Sequence, residues 1–317
     1  MARPLVSIVI ATYRSRLEHL SVAIASALAQ TWREIEVIVS DDSPDSALAP
    51  VVAGFADGRL RYRRNEPALG VAANHDAAFA VATGQYLVVL NHDDALAAGF
   101  VAAMVAALAA EPAAVLAFCD HWIIDEAGQR LEAETDRNSR HWGRADLAPG
   151  LHRPFVQLVA AQSVPLAMGT MFRHVELPGG WATDAGPAYD LWLCYLLGRG
   201  GRGAVYVPQR LSSWRTHAAN LTSHGGLDWL RGSAKCWQAM AADPDYAPVR
   251  ATARQRAAAA WQACAVRAWR EGRARDCARF GARSLRQKVT RRGLAAVALA
   301  CWPLAWRDAI RMQASPR

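Results

Sequence analysis

The strongest constraint on the fold is a repeated pattern in which an apolar, β-branched run ends in polar residues and is followed by a helical segment. The runs are LVSIVIATY at 5–13, EIEVIVSDD at 34–42 and QYLVVLNHDD at 85–94, with a shorter one, RLRYRRNEP, at 59–67. Such runs are typical of buried strands. The segments between them, at 16–31 and 70–84, have apolar residues at helical spacing. This β-α-β order predicts an α/β fold with a mostly parallel, Rossmann-like sheet and helices on both faces.

Polar side chains follow three of these predicted strands directly. They are Thr12 and Tyr13, Asp41 and Asp42, and the run from Asn91 to Asp94. Ligands of open parallel sheets bind at the carboxyl ends of the strands. We therefore expect these groups to line one crevice.

The acid pair Asp93–Asp94 suits a divalent cation, a phosphoryl acceptor or general acid–base chemistry. Mg²⁺ and Mn²⁺ sites take one or two carboxylates and leave the other positions to water and substrate phosphates. No GxGxxG follows the first strand and no GxxxxGK[ST] occurs in the chain, which argues against dinucleotide and P-loop chemistry. Alternatively, Asp41–Asp42 caps a helix or shapes a turn, and Asp93–Asp94 caps a helix beginning near Ala97.

Composition changes after Gly225. Residues 225–317 carry 18 Lys+Arg against 6 Asp+Glu, a net charge of +12, whereas the preceding residues carry 18 against 22, a net charge of −4. This part of the chain is rich in Ala, Arg and Trp at helical spacing. We predict a domain over 1–224 and a basic helical region over 225–317.

The basic helical region supports two interpretations. The apolar run from Leu294 to Trp306 is shorter than the ~20 residues needed to span a bilayer, but a basic helix with interfacial tryptophans fits contact with an anionic membrane surface. Alternatively, its helices form a hairpin that packs its tryptophans on the first domain or in a dimer.

The cysteines and the N-terminus indicate the compartment. The six cysteines are scattered without a CxxC pair, which predicts reduced, buried thiols. The apolar run at the N-terminus is the first strand rather than a secretory signal. We expect a cytoplasmic protein that has no nucleic-acid partner. Under the membrane interpretation of the basic helical region, its contact is peripheral and on the inner face of the membrane.

Five segments together resemble the family 2 inverting glycosyltransferases. They are VSIVIATYRS, VIVSDDSPD, NEPALGVAANHDAAFAVATGQYLVVLNHDD, AYDLWLCYLL and LSSWRTHAANLTS, which stand in the order and spacing of that family over residues 4 to about 223. The resemblance implies a GT-A fold and Mn²⁺ or Mg²⁺ as cofactor. It also implies transfer of a sugar from a nucleotide-diphosphate sugar to a glycan or lipid-linked acceptor, of the kind acting in bacterial surface polysaccharide synthesis.

The resemblance also assigns residues to roles, position by position. Thr12, Tyr13 and Asp41 match positions that frame the nucleotide base, and Asn74 matches a donor-side residue near the diphosphate. Asn91 faces the ribose, Asp94 lies near the donor sugar, Asp93 is the metal ligand and His217 lies near the diphosphate and the metal. Asp190 resembles the general base.

The sequence departs from the family pattern at several of these positions. Asn91 stands where the acidic motif of the family begins with Asp, and an amide brings no charge. The Glu-Asp found in many members before the base is replaced by Pro187 and Ala188, which keeps Asp184 as an alternative base. These departures also keep open a catalytically inactive sugar-nucleotide-binding or scaffold module. A receiver domain is a further alternative, but its acid pair follows the first strand.

Overall fold

The computed structural model describes residues 3–174, 186–217 and 226–300. The chain divides into two compact units, Met1–Asn220 and Leu221–Arg317. The boundary expected at 224/225 falls among residues 218–225, outside the described residues.

The first unit is built on one sheet. Its strands are β1 (Val6–Thr12), β2 (Ile35–Asp41), β3 (Leu60–Arg64), β4 (Tyr86–Val89), β5 (Ala95–Leu96), β6 (Ala114–Ile124), β7 (Gly150–His152), β8 (Thr170–Arg173) and β9 (Gly203–Arg215). Its helices are α1 (Leu17–Leu28), α2 (Ala49–Ala53), α3 (Val71–Phe79), α4 (Phe100–Ala110), α5 (Glu132–His141), α6 (Val156–Ala161), α7 (Leu166–Gly169) and α8 (Tyr189–Leu197), with a 3₁₀ turn at Gly186–Ala188.

The strand order is β3-β2-β1-β4-β8-β6-β9-β5, and β7 pairs with β9. The first four strands are parallel, as predicted. β8 then lies antiparallel between β4 and β6, whereas β6 and β9 are parallel. This mixed sheet, parallel at its N-terminal half, confirms the α/β fold class.

Both faces of the central strand β1 are covered. Val6, Ile8 and Ile10 belong to the main apolar core with residues of α1 and α4. Ser7 and Val9 point to the opposite face, because successive side chains alternate in a strand, and both are fully buried. Burial on both sides explains why the strand reads as a continuous apolar run.

Two helices of the first unit differ from what their sequences suggest. The helix expected over 70–84 is shorter, because α3 ends at Phe79. Gly84 instead packs on β1, where an added Cβ would lie 2.6 Å from the backbone nitrogen of Ser7. The stretch after Gly128 contains α5, whose mostly polar sequence has no apolar face to reveal a helix.

The second unit is helical in its described part. Its helices are α9 (Leu227–Ala242), α10 (Arg250–Arg270), α11 (Ala274–Gln287) and α12 (Arg291–Ala300), with a 3₁₀ turn at Pro244–Val249. Trp261 is buried and stacks on Phe280 with ring centroids 5.7 Å apart. Its indole Nε1 donates to Gln238 at 3.0 Å. Trp261 is therefore a core residue of the second unit itself, whereas packing of the tryptophans on the first domain or in a dimer stays a prediction.

The described helices differ from membrane-spanning helices in length or in apolar character. Among residues 3–174, 186–217 and 226–300, none combines the length and the apolar character needed to cross a bilayer. The run predicted at Leu294–Trp306 is described only as far as Ala300. The five cysteines within the described residues are free and buried, as expected.

Candidate active site

The polar ends of β1, β2 and β4 lie side by side, as the sequence predicts. In the parallel register Thr12 is opposite Asp41, and the backbone N–H of Asp42 donates to the carbonyl of Thr12 at 2.9 Å. On the other side of β1, Val9 is opposite Val89. The chain that leaves β4 therefore delivers Asn91 to Asp94 beside the end of β1.

Asp93 and His217 meet although they are 124 residues apart in the chain. The Oδ2 of Asp93 lies 3.0 Å from the Nε2 of His217. Both side chains are largely buried, with 11% and 12% of their surface exposed. A carboxylate and an imidazole at this separation can share one divalent cation or one proton.

Arg215 hydrogen-bonds the segment that carries Asp93 and Asp94. Its N–H donates to the Asp94 carboxylate and its guanidinium Nε to the carbonyl of Asp93, both at 2.8 Å. Its Nη1 reaches the carbonyls of Asp125 and Glu126, in the turn after β6. Arg215 is buried and joins the ends of β4, β6 and β9, and the sequence predictions missed it.

Asp94 is fully buried next to Asp93. Burial, and then the neighbouring Asp93 carboxylate, raise the pKa of Asp94 well above its usual range. Asn91 donates from Nδ2 to Asp94 at 2.9 Å. An ionised aspartate at position 91 would add a third carboxylate beside Asp93 and Asp94 and could not donate a hydrogen bond to Asp94. The hydrogen bond to Asp94 therefore explains why an asparagine suits this position.

Asp41 is fully buried and has two partners in the protein. Its Oδ1 accepts the N–H of Ser43 at 2.8 Å, and its Oδ2 accepts the hydroxyl of Tyr62 at 2.7 Å. The bond to Ser43 is an Asx turn, so the alternative interpretation of this acid as a turn residue describes part of its role. Tyr62 gave no sequence signal beyond its place in a short strand.

Asp42 holds the loop that precedes α3. Its carboxylate accepts the N–H groups of Leu69 and Gly70 and the amide of Asn65 at distances between 2.7 and 3.1 Å. Gly70 has a φ of 88°, which glycine adopts at low cost. Asp42 was predicted to lie at the strand end, but its contact with this loop depends on tertiary structure.

Asn74 lies beneath this loop rather than at its surface. Its Nδ2 donates to the Ser40 carbonyl at 2.9 Å and its Oδ1 accepts the amide of Asn65 at 2.8 Å. Only 2% of its surface is exposed. In this structure Asn74 connects α3 to β2.

Thr12 and Tyr13 have different surroundings. Thr12 is buried and its hydroxyl hydrogen-bonds that of Ser15. Tyr13 is 55% exposed, and the guanidinium of Arg14 lies 5.5 Å from its ring centroid. The N–H of Arg14 donates to the Ser43 hydroxyl at 2.8 Å, which connects the β1 and β2 loops.

Asp190 lies in the first turn of α8, where the helix dipole favours a carboxylate. Its Oδ1 accepts the N–H of Leu191 at 2.8 Å, and burial raises its pKa. The adjacent Tyr189 donates to Asn91 Oδ1 at 3.2 Å and stacks on His75. Tyr189 therefore connects the start of α8 to the end of β4. The alternative base Asp184 lies outside the described residues.

Asp93, after β4, and His217, after β9, fit a hard divalent cation that takes few protein ligands. Asp93 supplies carboxylate oxygen and His217 imidazole nitrogen at 3.0 Å separation. Among residues 3–174, 186–217 and 226–300, no three His, Cys, Asp or Glu side chains gather at a metal-binding distance. A bound cation would take its other ligands from water and phosphate, as Mg²⁺ and Mn²⁺ do in nucleotide sites.

Comparison with known proteins identifies relatives of this chain. The family model described as "Glycosyl transferase family 2" matches residues 7–154. The Escherichia coli protein WfaP, named as a UDP-Glc:alpha-D-GlcNAc-diphosphoundecaprenol beta-1,3-glucosyltransferase, is 33% identical over 90 residues, which are 28% of this chain and 36% of that protein. The uncharacterized protein MT1568 of Mycobacterium tuberculosis is 29% identical over 70% of each chain. The match spans about a third of the first curated relatives.

Solved structures share the fold at low sequence identity. Staphylococcus aureus TarS 1-349 in complex with UDP-GlcNAc superposes with a TM-score of 0.63 at 12% identity, over 99% of this chain and 93% of that one. The mannosyltransferase PcManGT of Pyrobaculum calidifontis, in complex with GDP-Man and Mn²⁺, gives 0.57 at 16% identity, over 99% and 85%. The match to glycosyl transferase family 2 over residues 7–154 contains the three strand ends, and the chain has the GT-A fold of its solved neighbours.

Proposed function

We propose that the protein is a metal-dependent inverting glycosyltransferase that uses a nucleotide-diphosphate sugar. The observation that carries the proposal is the pairing of Asp93 with His217 at 3.0 Å. This pair lies at the carboxyl ends of parallel strands, where such sheets bind nucleotides.

In the proposal, the strand ends around this pair form the donor site. Tyr13 and Asp41 frame the base beside Thr12, and Asn91 faces the ribose. Asp94 and Asn74 hold the surrounding backbone through the hydrogen bonds described above. The two solved neighbours hold UDP-GlcNAc and GDP-Man, which belong to the same class of donor.

Asp93 and His217 would hold Mn²⁺ or Mg²⁺ in this site. When bound, the cation supplies positive charge to the leaving diphosphate. Arg215 keeps Asp93 in place through its carbonyl and adds a buried positive charge beside the acid pair. The protein thereby orients the carboxylate and reduces the repulsion between Asp93 and Asp94.

Asp190 would act as the base that takes the proton of the acceptor hydroxyl. In an inverting transfer this hydroxyl attacks the anomeric carbon while the nucleoside diphosphate leaves from the opposite face. Burial raises the pKa of Asp190, which strengthens its carboxylate as a base. Tyr189, the preceding residue, hydrogen-bonds Asn91. This bond connects the start of α8, which carries Asp190, to the end of β4 in the proposed donor site.

The acceptor side of the proposal rests on the relatives. WfaP and WfgD of Escherichia coli are named for a sugar-diphosphoundecaprenol acceptor. We propose a glycan or lipid-linked acceptor of the same class in bacterial surface polysaccharide synthesis. The enzyme would work in the cytoplasm, with the basic helical region in peripheral contact with the anionic inner face of the membrane.

A donor screen tests this function. Purified full-length protein is mixed with individual nucleotide-diphosphate sugars, Mn²⁺ and membrane-extracted acceptor lipids, and released nucleoside diphosphate and labelled product are measured. One donor should give both, and EDTA should stop the reaction. Donor binding with no product from any donor would instead identify the inactive binding or scaffold module. Retention of the anomeric configuration would overturn the inverting mechanism.

A further inference from the structure

The second unit contains an open groove of about 870 Å³ between α9, α10, α11 and the segment 288–295. Most of the residues that line it are apolar, among them Ala259, Ala263 and Val266 on α10, Leu230 on α9 and Cys277 on α11. Gln255, Gln262 and Thr290 are its neutral polar lining residues. Volumes of 300–1,000 Å³ are typical of small-molecule sites. The volume of the groove is therefore in the range of sites that hold a small molecule or a single acyl chain.

All of the charged residues that line the groove are cations. Arg267, Arg270, Lys288 and Arg292 line it, and none of the residues lining it is an Asp or Glu. Arg267 is paired with Glu271 at 2.5 Å. The other three are exposed, and no ion pair with another described residue is found for them. The rim therefore offers positive charge to an external anion.

Apolar side chains stand exposed beside these cations. Val266 is 41% exposed, Val289 74% and Leu294 53%. Exposed aliphatic residues next to Lys and Arg are typical of surfaces that enter the boundary between headgroups and acyl chains. An aqueous anion such as free phosphate would leave this apolar surface uncovered.

We propose that the groove binds an anionic phospholipid of the membrane, with its headgroup at Arg270, Lys288 and Arg292 and an acyl chain along Ala263 and Val266. The inference deepens the membrane contact included in the proposed function and rests on it. It replaces a diffuse basic surface with one defined site. Charge complementarity selects an anionic headgroup, and the apolar walls select a chain rather than a soluble phosphate.

Vesicle binding tests the charge of the rim. Full-length protein is titrated with phosphatidylglycerol vesicles and with phosphatidylcholine vesicles, and only the former should bind. The variant Arg270→Gln/Lys288→Gln/Arg292→Gln should partition about 100-fold more weakly, since each cation near an anionic surface contributes about fivefold. The matched variant Arg254→Gln/Arg275→Gln/Arg279→Gln removes the same charge from exposed positions outside the groove. It should lose less than about tenfold.

Photo-crosslinking tests the groove itself. Phosphatidylglycerol with a diazirine in its acyl chain should label peptides containing Ala263 and Val266. Ala263→Trp, which fills the groove without changing charge, should abolish this label, whereas Ala251→Trp on the exposed start of α10 should not. Melting temperatures show whether each variant is folded. Equal losses in the two charge variants, or a label that survives Ala263→Trp in folded protein, would overturn the site.

The outcomes are separable from those of the proposed function. Groove labelling without turnover of any nucleotide-diphosphate sugar leaves the lipid site standing and removes the transferase. Turnover with equal binding to both kinds of vesicle leaves the transferase and removes the lipid site.

Discussion

Asp93 is the residue on which metal binding depends in the proposed function. Its side chain is only 11% exposed and bonds His217, so it is less accessible than its place at a strand end suggests. Arg215 contacts its carbonyl rather than its carboxylate. The local backbone is therefore supported independently of the acid.

Asp93→Asn should remove Mn²⁺-dependent turnover while the fold survives, because the amide keeps the size of the side chain and the Arg215 contact. Turnover and the melting temperature are measured together. Asp146→Asn, at an exposed carboxylate away from the strand ends, should behave as wild type. Full wild-type activity in EDTA would contradict the metal role.

Asp190→Asn should lower kcat by roughly 10²–10⁴-fold, the usual contribution of a general base. The KM for the donor should change little, because the proposed base acts on the acceptor hydroxyl. Steady-state kinetics with saturating acceptor measure both constants. If Asp184→Asn shows the loss and Asp190→Asn does not, the base is assigned to the wrong residue.

At the scale of elements, Arg215 joins β9 to the loop after β4 and to the turn after β6. Its guanidinium donates to backbone carbonyls in both segments. Arg173 provides a comparison in the same sheet. It donates to the carbonyls of Ala114 and Leu108, both at 2.8 Å, and lies opposite Tyr86 at the amino end of β4.

Arg215→Lys should raise the Mn²⁺ concentration for half-maximal turnover by about 10–100-fold, the usual effect of losing a partner that orients a ligand. It should also lower the free energy of unfolding by about 2–4 kcal/mol, since a lysine cannot make all of these buried bonds. Metal titration and urea unfolding measure the two effects.

Arg173→Lys is the matched control for that experiment. It should lower stability similarly but leave the Mn²⁺ response unchanged, because Arg173 is remote from the metal site along β4. The same shift in metal response from both variants would show that Arg215 acts only through general stability.

At the scale of the whole molecule, the buried residue His75 makes the stability of the fold depend on pH. Burial lowers the pKa of His75 to about 4, from an ordinary value of 6.5. His75 stacks on Tyr189 at 4.1 Å and hydrogen-bonds the Val71 carbonyl. The folded protein therefore favours the neutral ring, whereas the unfolded chain takes up a proton below about pH 6.5.

The contribution of His75 to stability is complete above about pH 6.5 and is lost as the pH falls toward the folded-state pKa of about 4. Between about pH 7 and pH 5 the wild type should lose about 2 kcal/mol through this group. The variant His75→Phe keeps an aromatic ring but cannot be protonated. Over the same pH range its free energy of unfolding, measured in urea, should therefore fall by about 2 kcal/mol less than that of the wild type. An identical pH dependence in both proteins would contradict the shifted pKa.

The sequence by itself determined the parallel half of the sheet and which polar residues end its strands. An apolar run such as Val6–Thr12 indicates a strand that is buried on both faces. This can be predicted from the sequence because the pattern lies within one short segment. The family segment AYDLWLCYLL contains the residues that form α8. The family segments added the expectation of a nucleotide site at those ends.

Only the tertiary structure decided which side chains meet at these ends. Three features depend on chain segments distant in sequence: the contact of Asp93 with His217, the bonds of Arg215 to the segments after β4 and β6, and the burial of Asn74. The insertion of β8 antiparallel between β4 and β6 was equally undetermined. Periodicity reports whether a residue is buried, whereas its partner is fixed by how the packed elements come together.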